Sequence, residues 1–182
     1  MSRVPSVLVV GLGLGLAGAV AFAQAPPAPP APGVLPGPAA AAGAPALVLD
    51  HAAPACVLAG QFPRIEATAK PADKVQQGRV YFRAEGEPHW YYVEAERVGG
   101  QLAATLPKPD KATKAVRYYV EASDASFHVA RTTEQVPTVV AAAGACGGKP
   151  VAKTAPTASI ELRVPPAAPA VPPGFLGDGI KQ

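Results

Sequence analysis

Side chains that bind metals occur in two short, turn-rich stretches of this sequence. One stretch carries two glutamates and a histidine, the other an aspartate and a histidine; in chain order the five residues are Glu85, Glu87, His89, Asp124 and His128. Neutral imidazole and carboxylate are both good ligands for zinc or copper. If the fold brings the two stretches together, we expect a metal site there, the alternative being an ordinary solvated loop end.

Motifs of enzyme active sites are missing from the sequence. It contains no GxSxG, HExxH or P-loop pattern, and its glycine-rich run GLGLGLAG, residues 11–18, lies in an N-terminal leader that we expect to be removed. The basic residues are scattered and the net charge is only +3 at pH 7, which does not favour nucleic-acid binding. We therefore expect neither catalysis nor a bound cofactor.

The chain begins with the pattern of a secretory signal peptide. Arg3 precedes an uncharged, mostly apolar run over residues 6–20, and Ala21 and Ala23 supply the small residues that signal peptidase reads. We predict a signal peptide at residues 1–23 and hence a periplasmic or secreted protein with no membrane span after cleavage. The alternative is a retained membrane anchor, for which an apolar run of about 15 residues is short.

Composition divides the rest of the chain into three parts. Residues 24–48 are almost entirely Ala, Pro and Gly, which favours an extended linker, with a proline-motif docking site as the alternative. Residues 49–147 have the mixed composition of a folded domain. Residues 148–182 return to low complexity, and we expect them to lack a packed fold. If part of this tail docks, the run ASIELRV at residues 158–164 is expected to add an edge strand.

Cys56 and Cys146 are the only cysteines of the chain. An even number of cysteines in an exported protein favours a disulfide, and these two bracket nearly all of the strand-like sequence. Closing so large a loop stabilises a fold by roughly 4 to 5 kcal/mol in the chain-entropy model. We therefore predict a Cys56–Cys146 disulfide, the alternative being two free thiols.

Short runs of alternating apolar and polar residues fill the central part. In chain order they are RIEATAK (64–70), GRVYFRA (78–84), HWYYVEAERV (89–98), QLAATL (101–106), AVRYYVEASD (115–124), SFHVART (126–132) and the less regular PTVVAAA (137–143). A period of two places one face of a strand in the core and the other in water. Turn residues separate the runs. The pattern predicts an all-β fold, a single antiparallel β-sandwich of about seven strands.

The run YYVEASD at residues 118–124 resembles the sixth strand of fibronectin type III and related immunoglobulin-like domains. The family pattern is Tyr-x-Val-x-Ala-x-Asn, and Tyr118, Val120, Ala122 and Asp124 match its spacing, with Asp in place of Asn. The resemblance covers about residues 60–142. It implies an immunoglobulin-like sandwich with the tyrosine in a corner contact, and it implies no particular function because this fold hosts many unrelated roles.

The resemblance also implies where the metal-binding side chains would lie. In an immunoglobulin-like sandwich the B–C and F–G loops share one end. Those loops would hold residues 85–89 and 124–128, so the five candidate ligands would meet at one rim.

A second candidate site is the solvent face of the neighbouring strands C and F. If residues 89–98 and 115–124 are these strands, parity gives a possible binding face made of Trp90, Tyr92, Glu94, Arg117 and Tyr119, with Glu96 and Glu121 alongside. Exposed aromatic rings stack on sugars and anchor protein partners. The alternatives are cross-strand pairs that only stabilise the sheet, and coverage of the face by the proline-rich tails.

These observations favour a non-catalytic interaction or structural module that displays an immunoglobulin-like domain on flexible tails outside the cytoplasm. Its partner is expected to be a protein or glycan of the cell envelope. The alternative is a ligand-binding accessory domain, for a carbohydrate on the C–F face or a metal at the loop rim.

Overall fold

The structure, a computed structural model, describes residues 46–181. The predicted signal peptide and nearly all of the predicted linker lie outside these residues. The strands, numbered along the chain, are β1 (Val48–Asp50), β2 (Cys56–Leu58), β3 (Phe62–Lys70), β4 (Gln77–Ala84), β5 (Tyr91–Glu94), β6 (Glu96–Val98), β7 (Gln101–Thr105), β8 (Val116–Ser123), β9 (Val129–Arg131), β10 (Thr138–Val140), β11 (Lys153–Ala155) and β12 (Leu162–Arg163). Within the described range, helix is limited to two 3₁₀ turns, Ala72–Lys74 and Ala143–Cys146. No helix there has the length and apolar character needed to cross a bilayer.

Two sheets of antiparallel strands form the body of the molecule. The first has the order β1-β3-β7-β6, with β11 also paired to β3, and the second has the order β12-β5-β4-β8-β9. A short parallel pair joins β10 to β2. The expected all-β antiparallel sandwich is confirmed.

The core between the sheets follows from the alternation seen in the sequence. In β4 every second residue is buried, including Val80 and Phe82, and in β8 Tyr118 and Val120 point the same way. These side chains pack in one cluster with residues of the first sheet such as Ile65. The parity that the sequence predicts for these strands is therefore correct.

The run at residues 89–98 is not one strand, which corrects the expectation. It divides at Ala95, whose N–H donates to the carbonyl of Gly78 (2.9 Å). Before this residue β5 pairs with β4 in the second sheet, and after it β6 pairs with β7 in the first. Glu96 therefore leaves the predicted binding face and lies 3.9 Å from Arg64 instead.

The order of strands in the second sheet also differs from the expectation. The β5 and β8 strands are not neighbours, because β4 lies between them and pairs with both. The six residues 85–90 thus connect two strands of the same sheet. Strands close in sequence pair readily across such a short connection, which the alternation alone does not reveal.

The C-terminal residues 149–181 pack on the sandwich, so the expectation that they lack a packed fold is wrong. The β11 strand pairs with β3 and β12 pairs with β5, so the segment joins both sheets. Ile160 and Phe175 are buried in the core, and the Phe175 ring lies edge-on to Phe82 with centroids 5.1 Å apart. These two apolar side chains anchor the segment to the core. Its prolines have no backbone N–H, so packing them against the sheets leaves fewer donors that need a hydrogen-bond partner. The edge strand expected within residues 158–164 is present in shorter form as β12.

The predicted Cys56–Cys146 disulfide is present. It joins β2 to the second 3₁₀ turn, with 6.1 Å between the two Cα atoms. The carbonyl of Cys56 also accepts a hydrogen bond from the N–H of Ala152 (2.8 Å). The cross-link therefore fixes the start of the C-terminal segment beside β2.

Candidate functional site

The five predicted metal ligands lie at opposite ends of β4, so the predicted metal site is wrong. The register of β4 and β8 pairs Gln77 with Ser123 and Ala84 with Val116. Residues 85–89 follow one end of β4, and residues 124–128 lie beside the other. The eight residues of β4 separate the two loops by about 23 Å. The error comes from the strand order, since residues 85–89 belong to the β4–β5 connection.

The side chains of the two loops make local contacts instead. Asp124 Oδ1 accepts hydrogen bonds from the backbone N–H groups of Ser126 (2.8 Å) and His128 (2.9 Å), and its Oδ2 lies 3.0 Å from His128 Nδ1. The backbone hydrogen bond from His128 is the main cause that lowers the pKa of Asp124. Glu85 lies 3.4 Å from Arg117. Among residues 46–181, no group of three or more His, Cys, Asp or Glu side chains is arranged to hold a metal ion.

Aromatic side chains from three adjacent strands form a continuous row on the outer face of the second sheet. Tyr81 of β4 lies opposite both Tyr92 of β5 and Tyr119 of β8. Its ring stacks on Tyr119 with centroids 4.8 Å apart and is tilted against Tyr92 at 5.1 Å. Trp90, which immediately precedes β5, meets Tyr119 edge-on at 5.0 Å. We call these four residues the aromatic face.

Arginine side chains lie against the rings of the aromatic face. Arg79 is 4.9 Å from the centroid of Tyr92, Arg83 is 4.4 Å from Trp90, and Arg131 is 4.5 Å from Tyr119. A guanidinium within about 6 Å of a ring centroid is attracted by the negative face of the ring. The arginines thus hold the aromatic face in position as well as giving it positive charge.

Carboxylates pair with most of these arginines. Glu121 lies 2.6 Å from Arg131, and its hydrogen bond is the main cause that raises the pKa of Arg131. Glu94 lies 3.6 Å from Arg79 and also accepts a hydrogen bond from Gln77 (2.9 Å). On the same strand as Tyr119, Arg117 lies 3.4 Å from Glu85 and 3.1 Å from Glu134. Glu94 and Arg117, both predicted for the binding face, therefore lie on it within ion pairs.

Tyr119 is the member of the predicted face that departs from the expectation. It is only 8% exposed, because Trp90, Tyr81 and Arg131 cover its ring. Burial is the main cause that raises the pKa of its hydroxyl. Trp90, Tyr81 and Tyr92 are half-buried and keep part of each ring at the surface. Trp90 and Tyr92 face outward as predicted but are half-buried rather than fully exposed, and the predicted exposure of Tyr119 is wrong.

The residues that the sequence reasoning missed come mainly from β4. Tyr81 links Tyr92 to Tyr119, and Arg79 and Arg83 lie over neighbouring rings. The signal was present in the run GRVYFRA, whose polar-face positions are these three residues. These positions were absent from the predicted face because β5 and β8 were expected to be neighbours, whereas β4 lies between them.

A groove runs along one side of the aromatic face. Its floor is formed by Tyr81, Trp90 and Tyr92, and its wall by residues 162–166 of the C-terminal segment. The volume is about 590 Å³. Pairing of β12 with β5 and a hydrogen bond from the Tyr91 hydroxyl to the carbonyl of Pro169 (3.0 Å) hold the wall in place. The tail therefore borders the aromatic face, and part of each ring in the floor stays accessible from the groove.

Comparison with known protein families and with curated proteins finds no match for this chain. The strand pairing by itself gives an antiparallel β-sandwich.

Proposed function

We propose that this protein is an exported, non-catalytic binding module whose aromatic face recognises a protein or glycan of the cell envelope. The observation that carries the proposal is the continuous row of Trp90, Tyr119, Tyr81 and Tyr92 on the outer face of one sheet. Aromatic rings give a large contact area at a low cost in conformational entropy, and they are the side chains most often responsible for binding energy.

Burial and ion pairing support a binding role for this face over a catalytic one. Its carboxylates are engaged with arginines, such as Glu121 with Arg131 at 2.6 Å. Burial raises the pKa of the Tyr81 and Tyr119 hydroxyls further above neutral pH, so neither hydroxyl is tuned to release a proton there. Groups in these states hold a surface in a fixed shape and are poorly suited to exchanging protons with a substrate.

Strand order supports an immunoglobulin-like arrangement for the module. The order β5-β4-β8-β9 in one sheet and β1-β3-β7 in the other corresponds to strands C′-C-F-G and A-B-E of such a domain. The buried Tyr118 lies on β8 where the family has its corner tyrosine, and its hydroxyl is 2.8 Å from His51 Nε2. In this reading the aromatic face is the outer surface of the C′-C-F-G sheet.

Export is supported by the disulfide, because such bonds persist mainly in oxidising compartments. Together with the predicted signal peptide, it favours the periplasm or the cell exterior. The Ala- and Pro-rich residues 24–45 would then tether or space the module.

Co-sedimentation of the exported chain with a native envelope fraction tests the proposal. The variant Trp90→Ala/Tyr92→Ala removes two rings from the groove floor and is expected to lose most of the bound fraction. Phe127→Ala is the matched control, because Phe127 is 86% exposed on the β8–β9 loop, near the opposite end of the sheet. Equal binding by the double variant and the control would refute the proposed site.

A further inference from the structure

Three hydrogen-bond donors in the groove have no partner within residues 46–181. They are the Trp90 indole N–H, the Tyr92 hydroxyl and the Arg163 guanidinium, and all three residues line the groove. By contrast, the Tyr91 hydroxyl on the same strand donates to the carbonyl of Pro169, and the Tyr81 hydroxyl donates to Glu121. These donors are open to solvent, so they are available to a ligand rich in acceptors.

Arg163 differs from most other arginines of this sheet because no carboxylate of the described residues lies within 4.0 Å of it. Its position opposite Tyr92 in the β12–β5 register places it on the wall of the groove, beside the aromatic floor. The lining of the groove contains no Asp or Glu. The groove therefore combines ring surface with one uncompensated positive charge.

We infer that the groove binds an acidic polysaccharide, with a uronic acid unit against the rings of Trp90 and Tyr92 and its carboxylate on Arg163. The inference rests on the proposed function and names the ligand class for the same face. A sugar ring supplies apolar C–H groups for the aromatic floor, and its hydroxyl oxygens can accept from Trp90 and Tyr92. The planar guanidinium matches a carboxylate with two parallel hydrogen bonds.

Charge on the rest of the sheet argues against a polyphosphate such as nucleic acid. Three of the arginines against the aromatic face or beside it, Arg79, Arg117 and Arg131, are already paired with glutamates. Nucleic-acid affinity depends on many basic side chains that neutralise successive phosphates. Arg163 on the wall and Arg83 against Trp90 have no carboxylate partner among the described residues. Two such arginines beside an aromatic floor are too few for successive phosphates and fit a chain whose carboxylates alternate with uncharged hydroxyl groups.

Fluorescence titration tests this inference directly, because Trp90 is the only tryptophan of the chain. The full exported chain is titrated with polygalacturonate oligosaccharides and, separately, with neutral mannan oligosaccharides of similar length. We expect polygalacturonate to change Trp90 emission and to bind more tightly than mannan. Arg163→Gln is expected to weaken polygalacturonate binding by about tenfold, since it removes a charge-assisted hydrogen bond, and to leave mannan binding unchanged.

Arg97→Gln is the matched control. Arg97 is an exposed arginine of β6 in the other sheet, so its loss changes the net charge equally without touching the groove. Equal affinity of Arg163→Gln and Arg97→Gln for polygalacturonate would overturn the inference.

The remaining outcomes separate this inference from the proposed function. If both oligosaccharides bind equally, if Arg163→Gln has no effect and if Trp90→Ala/Tyr92→Ala abolishes binding, the preference for an acidic ligand is overturned. The aromatic face then still stands as the binding site. Binding of neither oligosaccharide overturns the inference; if an envelope protein is then retained through the same two rings, the binding face still stands. Failure of both glycans and of the envelope fraction to bind the face overturns both proposals.

Discussion

Trp90 lies edge-on to Tyr119 with ring centroids 5.0 Å apart. The contact reaches across β4, which lies between β8, the strand of Tyr119, and β5, which Trp90 immediately precedes. The two residues differ in solvent exposure. Tyr119 is 8% exposed beneath its neighbours, whereas Trp90 is half-buried above it. One aromatic residue of the face thus serves mainly packing, and the other remains available for binding.

Substitutions of these two residues are expected to differ in their effect on stability. Tyr119→Ala should lower the free energy of unfolding by about 2 to 4 kcal/mol, because it empties a covered site, and Trp90→Ala by about 1 to 2 kcal/mol. Urea denaturation followed by far-UV circular dichroism measures both. Tyr119→Phe, which keeps the ring, serves as the control and should cost much less than Tyr119→Ala. Similar losses for Tyr119→Ala and Trp90→Ala would contradict the burial that we describe.

The C-terminal segment is expected to be part of the folded unit. Phe175→Ala should lower the free energy of unfolding by about 3 to 5 kcal/mol, because the ring is buried against Phe82. Phe127→Ala makes the same chemical change at a residue that is 86% exposed and should change stability by about 0.5 kcal/mol or less. If thermal or urea unfolding shows the two variants to be equally stable, the segment does not pack as described.

Removal of the disulfide is expected to destabilise the sandwich strongly. Cys56 and Cys146 are separated by 90 positions, so replacing both by alanine should lower the free energy of unfolding by roughly 4 to 5 kcal/mol in the chain-entropy model. Denaturant unfolding of the double variant beside the oxidised parent measures the loss. Peptide mapping of the natively exported protein under non-reducing conditions provides the check, since two alkylatable thiols there would contradict the bond.

Alkaline pH is expected to destabilise the protein through Tyr118. Burial raises the pKa of its hydroxyl above the value of about 10 that it has in an unfolded chain. Between these two pKa values the unfolded state has lost the proton that the folded state keeps, so stability falls as pH rises above about 10. The urea midpoint should therefore drop between pH 8 and pH 11.

Tyr118→Phe isolates this contribution. The variant loses the contact of the hydroxyl with His51 Nε2 and should be less stable at pH 8, by about 1 kcal/mol. Its further loss between pH 8 and pH 11 should be smaller than that of the parent. An equal alkaline loss in both proteins would show that Tyr118 does not carry it.

The sequence was sufficient to predict those features that depend on local pattern. The alternating pattern correctly predicts that Phe82, Tyr118 and Val120 point into the core, because a strand has two faces and burying a charged side chain is costly. The disulfide followed from two cysteines in a chain that looked exported. Each of these inferences needed only the residues themselves and their spacing.

The features that failed depend on which segments meet in space. Alternation does not reveal that β4 lies between β5 and β8, and this one error put Glu85 and His128 at the same rim and left Tyr81 out of the face. Residues 149–181 are of low complexity, so their composition does not indicate that Ile160 and Phe175 are core residues. These two side chains are buried only because the folded sheets leave space for them in the core. Predicting these contacts would have required the pairing of strands as well as their pattern.

Protection of Trp90 from a soluble quencher tests most directly whether the aromatic face is the binding surface. Acrylamide quenching of the single tryptophan is measured in the full exported chain, alone and with saturating solubilised envelope material or polygalacturonate. We predict a clear fall in the quenching constant of Trp90 whenever a ligand is bound. Bound ligand, established independently by co-sedimentation, with an unchanged quenching constant would place the binding surface elsewhere and contradict the account.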